Sequence, residues 1–261
     1  MTIRQLRWTI VVYLYASLFS ASPASAQRSE RPLCEIGSSA ITLLRYESRT
    51  GFDPTDLRSS IIFLAECPRS VIPALNASSH FPEEPPLSQS WIEGVRFAAR
   101  DSSSTDLRIL LTMAHSSVTR LRDDSLGRYL DGIFEGLTNP QRTDQRTIDS
   151  LFERQAMATL DRYARCGAAS CYEMSDNVLF LLGTHPVAML RAMRADSLDA
   201  KNWLRGVADD SFSGSPEARD SREAARRVVL AKLAETRVPG FERERHACES
   251  TFHAIRYRMV Q

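Results

Sequence analysis

Apolar residues recur along this chain at steps of three and four. Leu107, Leu110, Leu111, Ala114, Val118 and Leu121 form one such series. Leu126, Tyr129, Leu130, Ile133, Phe134 and Leu137 form a second. Because an α-helix completes a turn in 3.6 residues, each series lines one helix face. The short connection Arg122-Asp123-Asp124-Ser125 makes the two helices antiparallel neighbours, with Asp or Ser available to cap the second. Asp53-Pro54-Thr55-Asp56 reads as a cap followed by proline at the first helical position, ahead of an apolar run from Leu57 to Cys67. A long helix is expected over Asp144–Arg165, burying Ile148, Leu151, Phe152, Leu160 and Tyr163. Ser215-Pro216-Glu217 opens another, carried through Val228, Val229, Leu230 and Leu233 and broken by Pro239-Gly240. The proline-rich stretch Ser79–Ser88 reads as a loop. Long alternating β-branched runs are absent, so no strand is expected. The predicted class is all-α, either stacked antiparallel helical hairpins or a compact helical bundle.

A weak internal repeat organises the helices. Thr42-Leu43-Leu44-Arg45-Tyr46 matches Thr159-Leu160-Asp161-Arg162-Tyr163, and Ile61-Ile62-Phe63-Leu64 matches Val178-Leu179-Phe180-Leu181. Pro68 then aligns with Pro186, and Trp91-Ile92-Glu93-Gly94-Val95 with Trp203-Leu204-Arg205-Gly206-Val207. The order is the same in both halves, which suggests two related helical units, 27–140 and 141–261, able to share one domain. Helical hairpins cannot bury their apolar faces alone and gain a core by stacking. The succession of apolar helix, proline-containing loop and second apolar helix resembles HEAT-type repeats. It is carried by Ile61–Leu64, Pro68, Val71, Ile72 and Leu75 in one half. Val178–Leu181, Pro186, Met189, Leu190 and Met193 carry it in the other. That resemblance implies a stacked α-solenoid with a concave binding surface.

The first 26 residues read as an export signal and stand outside any fold argument. Arg4 and Arg7 precede the apolar stretch Trp8–Leu18, and Ala24-Ser25-Ala26 is a small-x-small cleavage site that would leave Gln27 at the new N-terminus. The apolar stretch is shorter than the about 20 residues a bilayer requires. A periplasmic or secreted protein is expected, with no membrane span after cleavage. Cleavage removes two of the 33 basic residues and none of the 32 acidic ones, so the balance stays close to neutral. This argues against a nucleic-acid-binding surface, which needs a clustered basic excess. Five cysteines are present. In an oxidising compartment an odd number leaves one unpaired or pairs it between chains. The expected bridges are Cys166 with Cys171, which close a small loop, and Cys34 with Cys67.

Candidate chemistry is sparse. The chain contains no G-x-S-x-G, no phosphate-cradling loop, no G-x-G-x-x-G, no H-E-x-x-H and no C-x-x-C, and no cofactor is indicated. His246, Glu249 and His253 fall at steps of three and four, so a helix would place them on one face as metal ligands. Arg243, Arg245 and Arg256 flank them and oppose a cation. Trp91 and Trp203 are candidates for a binding groove. His115 and His185 stand alone in sequence. The expected function is an exported scaffold that binds a protein or peptide rather than an enzyme. The alternative is a hydrolase-like helical enzyme with dispersed groups, marked by a pocket that gathers His115, His185 or His246 with carboxylates.

Overall fold

The computed structural model describes residues 32–36, 41, 44, 52–76, 87–101, 105–121, 144–195 and 200–259. The fold is all-α. Residues 32–36 are helical, and the helices that follow are α1 (Pro54–Glu66), α2 (Pro68–Asn76), α3 (Leu87–Asp101) and α4 (Thr105–Arg120). The second half holds α5 (Gln145–Ala164), α6 (Ala168–Thr184), α7 (Pro186–Ala195), α8 (Ala200–Ser211), α9 (Arg219–Glu235) and α10 (Glu242–Ala254). The export signal, the expected helix over 126–137 and most of the expected loop 79–88 lie outside the described residues.

Local chemistry sets the helix ends. The Asp53 carboxylate accepts the Thr55 amide at 2.7 Å, and Pro54, which has no N–H to satisfy, takes the first helical position of α1. Asp144 caps α5 by accepting the Thr147 amide at 2.9 Å, and that bond holds its carboxyl below the usual range. α1 ends at Cys67 and α6 at His185, and a proline directly after each starts the next helix. The expected start at Ser215 is a short 3-10 turn, Pro216–Ala218, before α9 proper. One expectation is corrected: Ser213–Gly214 pairs in parallel with Arg258–Met259 as β1 and β2. Two residues are too few to show a period-two pattern.

The matched sequence blocks occupy matched elements. Ile61–Leu64 lies in α1 and Val178–Leu181 in α6, Pro68 opens α2 and Pro186 opens α7, and Trp91 and Trp203 lie in α3 and α8. The halves share one hydrophobic core. α1 packs on α4 and α5, and α6 packs on α5, α8 and α9. At the join the rings of Phe63 and Phe180 lie 4.0 Å apart, centroid to centroid.

Two disulfides staple this core. Cys34–Cys67 ties the helical residues 32–36 to the end of α1, and Cys166–Cys171 closes the turn between α5 and α6 around Gly167. Leu33, fully buried, lies against Gly183 so closely that a Cβ there would meet its Cδ1 at 2.6 Å. Among the described residues no helix is long and apolar enough to cross a membrane.

Candidate functional site

α1, α4 and α5 enclose a cleft of about 330 Å3. Its floor is apolar: Ala65 from α1, Ile109 and Met113 from α4, and Ile148 from α5. Its rim is polar: Glu66 at the end of α1, then Thr112, Ser116, Ser117 and Arg120 along α4. The α4 contribution follows from helix geometry. Ile109, itself buried, Met113, Ser116 and Arg120 succeed one another at steps of three and four and form a stripe beside the core residues Leu107, Leu110, Leu111, Ala114 and Val118.

Polar links hold the three walls together. Arg154 of α5 grips the Asp106 carboxylate of α4 with two nitrogens, at 3.0 and 2.7 Å, and this contact raises its pKa. Arg162 of α5 reaches the buried Asp56 of α1 at 3.2 Å. The Gln155 amide, also buried, donates to the Thr55 carbonyl and to Ser59 Oγ, both at 3.1 Å. Buried polar groups are affordable only when paired in this way.

The rim carries opposite charges. Arg120 donates through Nε to the Ser116 carbonyl at 3.1 Å and through Nη2 to Ser117 Oγ at 3.0 Å. Among the described residues it has no carboxylate partner. Glu66 lies 3.4 Å from His185 Nε2, close enough for charge attraction when the ring is protonated but without the direction of a hydrogen bond. The imidazole of His185 stacks on Phe152 with centroids 3.5 Å apart and planes 18° from parallel. Of the three histidines expected to mark an active site, His185 stands against a carboxylate, while His115 and His246 are exposed.

The residues singled out from the sequence lie elsewhere. Trp91 is fully buried, and its indole N–H donates to Ser60 Oγ at 2.7 Å. Trp203 is 8% exposed, with an indole N–H that meets no acceptor among the described residues. Neither lines the cleft between α1, α4 and α5. Their shared Trp-x-x-Gly-Val pattern has a packing cause. A Cβ on Gly94 would come within 2.4 Å of the Phe52 ring, and one on Gly206 within 2.8 Å of the Tyr163 hydroxyl. Tyr163 in turn donates to Asp210 at 2.7 Å, and burial together with that carboxylate drives its pKa far up.

The residues expected as metal ligands have other surroundings. His246 and His253 are exposed on α10, and the carboxylate of Glu249 is taken by Arg245 at 2.7 Å. Among the described residues no three His, Cys, Asp or Glu side chains converge as metal ligands. Cys248, the free cysteine, is buried against Met193 Sδ at 3.4 Å, and burial pushes its thiol up to about 12.

The chain matches no family model, no curated protein and no solved structure.

Proposed function

We propose that this is an exported, disulfide-stapled binding protein that holds a protein or peptide partner in the cleft between α1, α4 and α5. The observation that carries this reading is the composition of the cleft: an apolar floor with Glu66 and Arg120 in its polar lining, set on helices locked by a common core. Binding sites of this kind take contact area from apolar groups and orientation from a few polar ones. The two bridges support export, because disulfides persist in oxidising compartments.

Peptide selection tests the reading. Random peptides displayed on phage are selected on the intact chain and recovered in parallel on Met113→Trp, which fills the floor. Sequences enriched on the parent and lost on the variant support the cleft as the site. Equal recovery on both refutes it. A chain recovered from the exported fraction with a mass starting at Gln27 would support the export signal, and a full-length mass would refute it.

A second reading, the helical hydrolase, draws on one contact. Glu66 and His185 pair a carboxylate with an imidazole beside a cleft that also holds Ser116 and Ser117. Among the described residues no hydroxyl is hydrogen-bonded to His185. Ester hydrolysis above the spontaneous rate, abolished by both His185→Asn and Glu66→Gln, would favour this reading over binding alone.

A further inference from the structure

We propose that the cleft reads a free C-terminus: the last carboxylate of a partner chain on Arg120, with its apolar last side chain toward Met113 and Ile148. This rests on the binding role just given to the cleft. Two observations point to a carboxylate. Arg120 is held in place by two bonds to its own helix, to the Ser116 carbonyl and to Ser117 Oγ. It also lacks an anion among the described residues. These bonds are exposed and orient the guanidinium along α4, and its remaining N–H groups match the geometry of a carboxylate.

The neighbouring groups narrow the class further. Met113 lies on the α4 stripe that ends at Arg120, and Ile148 of α5 lines the same cleft. Only the last residue of a chain bears a carboxylate and an apolar side chain on the same carbon. An internal Asp or Glu spends its side chain on the carboxylate and leaves the floor to a different residue. Glu66 also lines the cleft and repels a second anion, so acidic residues close to the end are disfavoured.

The test compares one peptide in two forms. A fluorescein-labelled pentapeptide ending in leucine, Ala-Ala-Lys-Ala-Leu, is titrated with the intact chain as the free acid and as the C-terminal amide, and anisotropy is read. The acid is expected to bind about tenfold or more tightly than the amide, as loss of a charge-assisted contact implies. Arg120→Gln should erase that preference, and melting by circular dichroism checks that the variant is folded.

Equal binding of acid and amide, an acid preference that survives in Arg120→Gln, or binding of neither form overturns the inference. Displacement of the acid peptide by equimolar decanoate also overturns it, in favour of a fatty carboxylate. Met113→Trp separates the two levels of the argument. If it abolishes binding of both forms while acid and amide bind the parent equally, the cleft stands as a site and the C-terminus reading alone falls. If it changes neither, the cleft is not the site.

Discussion

Removing Arg222 should destabilise the protein far more than an ordinary surface arginine. Asp176 of α6 is almost wholly buried, and Arg222, in the first turn of α9, meets both of its oxygens, Nη1 to Oδ1 and Nη2 to Oδ2, the latter at 2.9 Å. The two side chains are 17% and 1% exposed, so the contact is shielded from water. Arg222→Ala leaves a buried carboxylate without its guanidinium, and breaking such a pair costs about 3–5 kcal/mol. For a domain of this size each kcal/mol lowers Tm by about 2–4 °C, so the fall should be about 6–20 °C. Asp176→Leu with Arg222→Met replaces the pair by apolar groups of similar volume and should recover most of the loss, since a buried ion pair adds little over a well-packed substitute. Urea unfolding of the parent, the single and the double variant measures all three stabilities. A loss below about 1 kcal/mol in Arg222→Ala would mean that the pair behaves like an exposed salt bridge, and the argument from burial would fail.

Two further outcomes are expected. Gly94→Ala should lower the urea midpoint, although helix propensity alone would raise stability by about 1 kcal/mol. The new Cβ would lie 2.4 Å from the Phe52 ring, Phe52→Leu in the same chain should relieve the strain, and a raised midpoint in the single variant would show that the ring moves freely. Iodoacetamide at pH 8 should leave the native chain unlabelled and add one group after unfolding without reductant. The Cys248 thiol, pushed up to about 12 by burial, supplies no thiolate at that pH, and labelling of the native chain would contradict its placement.

Much of the fold was legible because helices announce themselves locally. The start of α1 at Asp53-Pro54 and the span of α5 from the cap at Asp144 follow from cap chemistry and 3.6-residue spacing, both properties of a few neighbouring residues. The bridge Cys166–Cys171 follows from closeness in sequence. The burial of the tryptophans was not legible, because residue type and spacing do not say whether solvent or another helix covers a side chain. Phe52 at Gly94 and Ser60 at the Trp91 indole come from other elements of the fold. The spacing places His246, Glu249 and His253 on one face, and Arg245, four residues before Glu249 on the same helix, takes its carboxylate.

The cleft itself was hidden by the physics that builds it. A core stripe must be apolar along its length, so α4 shows it as Leu107, Leu110, Leu111, Ala114 and Val118. The stripe beside it runs from the buried Ile109 through the half-buried Met113 to the exposed Ser116 and Arg120, so it leaves no period to read. It becomes concave only when the end of α1 and the start of α5 arrive alongside, which depends on packing between residues far apart in sequence. The brace from Arg154 to Asp106 is largely exposed and adds little stability. Its value lies in register: it fixes α5 against α4 above a core that already holds α1 against both. The separation of Glu66 from Arg120 is therefore set by the interior of the protein. A change at the rim should alter what the cleft binds without altering the fold, whereas a change at the interhelix contacts of Asp56 or Gln155 should alter the fold.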